Sequence, residues 1–143
     1  MARDKIHDAV KNVLIKDGWH ITHDPYTIRY RAVRVAADLG ARRAIAAAKA
    51  SQQIVVEIKS FRSLSRMQDL KLAVGQYIVY AIYLHQKSLV PRLYLAVDRL
   101  IYAEYLSQPE IKLILDTIGM SLLLVDIDNE EVIEWINRDI TLL

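Results

Sequence analysis

The chain of 143 residues contains no cysteine. That absence excludes disulfides, thiol catalysis and cysteine-type zinc sites. It fits a reducing compartment, so a cytoplasmic location is expected. Glycine is scarce, with 4 residues, and none belongs to a Gly-rich loop able to cradle phosphates. No nucleophile elbow presents a serine. No uncharged apolar run reaches the ~18 residues of a membrane-spanning helix, so no membrane association is expected. Met1-Ala2-Arg3-Asp4-Lys5 is followed by no apolar signal region. Low-complexity tracts, internal repeats and linkers are missing as well.

What remains is an ordinary globular composition, 53% apolar and 25% charged. The length suits one domain over residues 1–143, able to bury about two-thirds of its unfolded surface. Net charge is +2, but it is unevenly placed. Residues 1–72 hold 14 Lys/Arg against 7 Asp/Glu, a net +7. Residues 73–143 hold 5 against 10, a net −5. The basic half suits a polyanionic partner; a solvated surface of uneven charge explains it equally well.

Residues 4–17 read as an amphipathic helix with Ile6, Val10, Val13 and Leu14 on one face and a stop at Gly18. Trp19–Thr22 reads as a short strand, His23-Asp24-Pro25 as a turn, and Tyr26–Asp38 as one strand. Leu39–Lys49 continues the sheet, although the Ala-rich Ala44–Ala50 is open to a helix by propensity, and a turn at Ala50-Ser51-Gln52 leads into a strand over Ile54–Phe61. Ser63–Lys87 is the longest helix. Leu93–Val97 is a strand, Asp98–Leu106 and Pro109–Ile118 are helices, and Leu122–Asp126 and Val132–Ile136 are strands joined by an acidic turn. Strands interleaved with helices predict a mixed α/β fold (α+β in part). The early strands should be antiparallel, and the strand after the long helix should return parallel by a right-handed crossover.

Ile54-Val55-Val56-Glu57-Ile58-Lys59-Ser60-Phe61 organises the rest. It is a β-branched, buried-type strand that carries an acid and a lysine. Alternation puts Glu57 and Lys59 on one face and Val56 and Ile58 on the other. Charges so placed are either mutually neutralised or held for chemistry. Acid-x-Lys occurs three times, where chance gives about one. Asp69-Leu70-Lys71 and Glu110-Ile111-Lys112 lie in helical segments, where residues two apart diverge by about 200°. Only the strand pair converges.

Asp38 lies 19 residues before Glu57, near the end of the preceding strand run. A hairpin brings the two carboxylates together, and they repel unless a cation sits between them. All-oxygen ligation suits Mg²⁺ or Mn²⁺. Lys59 beside them can orient a water or face charge on a phosphate. The bland alternative for Asp38 is a turn or strand-end residue. On the long helix, Gln76 and Tyr80 are four apart and share a face. Gln-x3-Tyr occurs once, against about a third of a match by chance. A plain polar stripe is the alternative, yet a glutamine in so apolar a stretch needs a partner. His7 on the first helix can face the same site or be an ordinary surface or core histidine. His20, His23 and His85 carry no assignment.

The helix, the Asp, Glu-x-Lys on a strand and Gln-x3-Tyr on the next helix together resemble the PD-(D/E)XK nuclease superfamily, in its RecB-like branch. Longer segments resemble the XisH family: His7-Asp8-Ala9-Val10-Lys11-Asn12, Asp17-Gly18-Trp19, Ile21-Thr22-His23-Asp24-Pro25-Tyr26 and Asp38-Leu39-Gly40-Ala41. So do Val56-Glu57-Ile58-Lys59-Ser60-Phe61, Gly75-Gln76-Tyr77 and Leu93-Tyr94-Leu95-Ala96-Val97. The resemblance covers essentially the whole chain. That family is known as fdxN element excision controlling factor, a cyanobacterial accessory protein of programmed DNA excision.

The resemblance implies a restriction-endonuclease-like fold with a central mixed sheet flanked by helices. It implies Asp38, Glu57 and the main-chain carbonyl of Ile58 as ligands of Mg²⁺ or Mn²⁺, with His7 as a further candidate. It makes Lys59 the catalytic lysine and Gln76 and Tyr80 the supporting pair. Two departures stand out. His7 occupies the place where many superfamily members carry a first-helix acid. Arg42-Arg43 follows Asp38-Leu39-Gly40-Ala41, where a further acid is expected. The implied function is a metal-dependent, endonuclease-like phosphodiesterase acting on DNA. The rival is a catalytically silent DNA-binding or protein-docking factor that controls a site-specific recombinase. Implied partners are DNA and other excision factors or a recombinase, with room for a homodimer. With the basic first half, Arg29, Arg31, Arg42, Arg43, Arg62 and Arg66 are candidates for phosphate contacts.

Overall fold

A computed structural model describes residues 5–45 and 50–143. The first element is α1 (Lys5–Lys16), whose Ile6, Val10, Val13 and Leu14 are buried, as their spacing requires. Its last turn closes through Gly18 N–H to Ile15 O and Trp19 N–H to Leu14 O. Asp4, read as part of this helix, lies outside the described residues, as does the rest of the N-terminal stretch up to it. Strand β1 (His20–His23) follows, then β2 (Tyr26–Tyr30) and β3 (Val33–Ala37).

Here the expectation of one strand over Tyr26–Asp38 fails. The chain reverses at Arg31-Ala32, and β2 and β3 pair as a separate two-stranded antiparallel sheet. Arg31 takes a φ of 54°. Such turns are normally marked by Asn, Asp or Gly, and Arg-Ala gives no such signal. Gly40 seats the base of this hairpin: a Cβ there would stand 2.5 Å from the Tyr26 ring.

β4 (Leu39–Ile45) and β5 (Ala50–Ile58) form the long hairpin, in register from Leu39↔Val56 to Ile45↔Ala50. Ala50, Ser51 and Gln52, expected as a turn, are therefore strand, paired with Ile45, Ala44 and Arg43. Positions 46–49, expected as strand, lie outside the described residues.

After β5 comes α2 (Arg66–Leu84), capped by the Ser65 hydroxyl, which accepts from Gln68 N–H at 3.2 Å. It is shorter than the expected Ser63–Lys87, because that cap fixes its start. β6 (Arg92–Asp98) leads into α3 (Arg99–Ile101). The expected helix over Asp98–Leu106 is not a single α-helix: after α3 it widens into a π-helical turn over Tyr102–Leu106, with Ser107 N–H on Tyr102 O at 2.9 Å. α4 (Pro109–Ile118), β7 (Leu122–Asp126) and β8 (Glu131–Ile136) complete the chain.

The central sheet has the order β1-β4-β5-β6-β7-β8. β4 is antiparallel to β1 and β5, β5-β6-β7 run parallel, and β8 returns antiparallel. This is the mixed α/β architecture read from the alternation of elements. The parallel core aligns the C-terminal ends of β5, β6 and β7 along one edge. Side-chain alternation divides the interior. Val55, Leu95, Val97, Leu122 and Leu124 pack in one core with α2; Val56, Ile58, Tyr94, Ala96 and Leu123 pack in the other with α1. Tyr77 of α2 pins the first layer, donating to Leu93 O at 3.1 Å and accepting from Ser121 N–H at 2.9 Å. Among the described residues no helix is long and apolar enough to cross a membrane.

Candidate active site

The end of β5 carries two charged side chains on the α2 side of the sheet. Glu57 is 5% exposed, and Lys59 Nζ lies 3.4 Å from its Oε2. Lys59 N–H donates to Ala96 O at 3.1 Å, which ties this end of β5 to β6. The β4–β5 ladder starts at Leu39↔Val56, so the residue before it, Asp38, comes out opposite Glu57. Ile58 lies beyond the last β4 partner and donates its N–H to Asp38 Oδ2 at 2.7 Å. Backbone register thus places Asp38, Glu57 and Lys59 together.

The electrostatics follow from that placement. Burial, reinforced by the Asp38 charge, pushes the Glu57 carboxyl from 4.5 up to about 7, while Lys59 opposes the rise. Two carboxylates so close need a proton or a cation between them. Tyr80 donates to Ala36 O at 3.0 Å, binding α2 to the strand that runs into Asp38. Burial, then the Glu57 and Asp38 charges, pushes its phenol up to about 12. Tyr80 therefore stays a neutral donor.

One turn before Tyr80, Gln76 Oε1 is buried and has no hydrogen-bond partner among the described residues. A buried acceptor without a partner costs about 1–3 kcal/mol, so it marks a place where a donor or cation is expected. No three His, Asp or Glu side chains gather for a metal among the described residues. The oxygen donors on offer would be the Asp38 and Glu57 carboxylates, with the Ile58 carbonyl and the buried Gln76 Oε1 as neutral candidates. Such hard oxygen donors fit Mg²⁺ or Mn²⁺.

His7 approaches from α1, on the other side of the sheet. Its Nδ1 stands 3.9 Å from Asp38 Oδ1, and its Nε2 is 3.1 Å from Asp24 Oδ1. Lys11 Nζ holds the second Asp24 oxygen at 2.9 Å. Asp24 is the residue that sequence reasoning passed over as part of a turn. The available signal was His7 and Lys11, four apart on one helix face, needing an anion between them.

The candidate arginines sit on different elements. Arg29 and Arg31 belong to the β2–β3 hairpin, and Arg42 is exposed on β4. Arg43 is engaged by Asp17 at 3.5 Å and lies over the Trp19 ring at 4.3 Å. Arg66 pairs with Glu104 at 2.9 Å. Arg62 is exposed and, with Ser60, Ser63 and Arg66, lines a cleft of about 310 Å³ that opens just past Lys59.

Fold and site together define a mixed α/β protein with an acid–acid–lysine cluster at the end of the first parallel strand of its sheet. The family model described as XisH protein matches residues 1–133. A crystal structure of an XisH family protein from Nostoc punctiforme PCC 73102 superposes with a TM-score of 0.85 at 32% identity, covering 94% of this chain and 100% of that one. An fdxN element excision controlling factor protein from Anabaena variabilis gives 0.85 at 34% identity, with the same coverage of 94% and 100%. Among curated proteins none matches. The chain belongs to the XisH family.

Proposed function

We propose that this protein is a metal-dependent DNA phosphodiesterase of the PD-(D/E)XK type, acting in the excision of a DNA element. The observation that carries the reading is the convergence of Asp38, Glu57 and Lys59, fixed by the Leu39↔Val56 register and the Ile58–Asp38 bond. Asp38, Glu57, the Ile58 carbonyl and Gln76 would hold Mg²⁺ or Mn²⁺. When bound, such an ion supplies Lewis acidity toward the phosphate and lowers the pKa of a bound water. A cation seated there would offset the raised Glu57 carboxyl, whose rise comes from burial and the Asp38 charge. Lys59 projects from the same strand face and places a positive charge where a scissile phosphate gathers negative charge. Attack by water on phosphorus breaks one P–O ester bond, and the leaving oxygen takes up a proton. The cleft with Ser60, Arg62 and Ser63 offers polar room for the neighbouring backbone. The role in excision rests on the description of the Anabaena relative.

A second reading has an observation of its own. Lys59 already lies 3.4 Å from Glu57 and opposes the rise of its carboxyl, as a retained fold without turnover would allow. On that reading the protein binds DNA, other excision factors or a recombinase and leaves cutting to them. Incubating the protein with single-stranded, duplex and branched DNA in Mg²⁺ or Mn²⁺ separates the two. Cleavage that disappears in Glu57→Ala and Lys59→Ala supports hydrolysis. Equal, background-level products from wild type and Lys59→Ala on every DNA form would decide for the silent factor.

A further inference from the structure

The β2–β3 hairpin carries a feature that the fold itself does not need. Its inner face is anchored: Ile28 and Ala37 are buried, Tyr30 stacks on Tyr83 at 5.7 Å, and Tyr80 holds Ala36 O. Its outer face is arginine. Arg29 and Arg34 are direct partners in the antiparallel register and both are exposed. Among the described residues neither side chain forms an ion pair or hydrogen bond. Arg31 stands at the turn with a φ of 54°, its guanidinium 5.8 Å from the Tyr30 ring centre.

Like charges directly opposite one another weaken a strand pair. Three arginines on ten strand residues and a two-residue turn therefore work against the isolated hairpin. An anion seated between them removes the repulsion, and guanidinium groups match phosphate oxygens in bidentate fashion. We propose that the β2–β3 hairpin is an arginine ribbon that grips the phosphate backbone of duplex DNA beside the carboxylate site. The proposal rests on the DNA reading above and adds Arg34 and a direction of approach. β3 runs straight into Asp38, so Arg34 lies four residues from the acid, about 13 Å along an extended strand. A two-stranded ribbon is also narrow enough to lie along a major groove about 12 Å wide. An acidic protein surface could present carboxylates instead, but phosphate fits better, because the ribbon abuts the site proposed to act on phosphate.

The test is fluorescence anisotropy with a labelled duplex in EDTA, so that no cleavage interferes, across a series of salt concentrations. Arg29→Gln/Arg34→Gln should weaken binding by at least about tenfold, as the loss of charged hydrogen bonds implies. The slope of log K against log salt should fall by about 1.8, which is 0.9 for each lost phosphate contact. Arg34→Glu should bind as weakly or more so, yet melt at or above wild type, because an opposite charge then faces Arg29. That separates loss of contact from loss of fold. If wild type binds and the double variant binds equally with the same slope, the ribbon is overturned while the DNA reading stands. If wild type binds no DNA, both fall together. If wild type forms dimers that Arg34→Glu dissociates, with DNA affinity unchanged, the ribbon is a protein-docking face and the proposal is overturned.

Discussion

Glu57→Gln should leave stability unchanged near pH 4.5 and raise it at pH 8. The Glu57 carboxyl sits at about 7 in the folded protein against 4.5 for the ordinary side chain, first through burial and then through the Asp38 charge. Between those values the folded protein keeps a proton that the unfolded chain has released. The folded state therefore binds more protons in this window, and stability falls as pH rises through it. Below 4.5 both states are protonated and nothing is lost; above 7 the loss is complete. The gap amounts to on the order of 3 kcal/mol. The Lys59 contact is already inside that value, since it opposes the rise. For this length the unfolding entropy is roughly 300 cal/mol/K, so the loss corresponds to about 10 °C in melting temperature.

A glutamine cannot ionise, so the variant escapes this loss, and titrations away from the site cancel in the comparison. The assay is scanning calorimetry of both proteins at pH 4.5, 6, 7 and 8 in EDTA. The difference between their melting temperatures should open across that range, in favour of the variant. A constant difference from pH 4.5 to 8 would refute the raised carboxyl.

Three further outcomes are expected. Mn²⁺ at a hundredfold excess over its Kd should stabilise wild type by about 2.7 kcal/mol; Asp38→Asn should respond little, and equal melting shifts in the two proteins would sink the ligand assignment. Tyr77→Phe removes the hydroxyl shared by Leu93 O and Ser121 N–H, which leaves buried groups unpaired and should cost about 1–3 kcal/mol; an unchanged urea midpoint would contradict this. Gly119→Ala puts a Cβ 2.1 Å from Asp139 O at a φ of 83°, so it should destabilise by more than about 1 kcal/mol, read as a lower melting temperature.

Much of the architecture was legible because its periods are clean. Pro109–Ile118 and Leu122–Asp126 have the bounds the pattern predicts. Glu57 and Lys59 share a face because strand alternation leaves no other choice. What escaped was set by contacts distant in sequence or by turns without turn residues. Arg31-Ala32 looks like more strand, and its reversal is held by Ile28 and Tyr30 packing beneath α2. The Ala-rich run likewise hid where β5 begins. Asp24 looked like turn chemistry alone, and only the fold sets it against His7 and Lys11. Gln76 was singled out as needing a partner; the fold buries its oxygen without one among the described residues.

The missed reversal bears on the site itself. Reading Tyr26–Asp38 as one strand makes Asp38 a strand end on the same sheet as Glu57. The fold makes it the single residue between two sheets: β3 ends at Ala37 and β4 begins at Leu39. Ala37 is buried on one side of it and Leu39 on the other. Tyr80 holds Ala36 O, and Ile58 N–H holds the Asp38 carboxylate itself. No loop separates the hairpin from the acid, so one stretch of backbone fixes both. An anion gripped by Arg29 and Arg34 would therefore stand at a set distance from Asp38 and Glu57. Lengthening that junction, by inserting a glycine between Ala37 and Asp38, should leave ribbon binding intact while uncoupling it from the carboxylates. Cleavage by the insertion variant at the wild-type rate, with unchanged affinity, would show that the two are not geared.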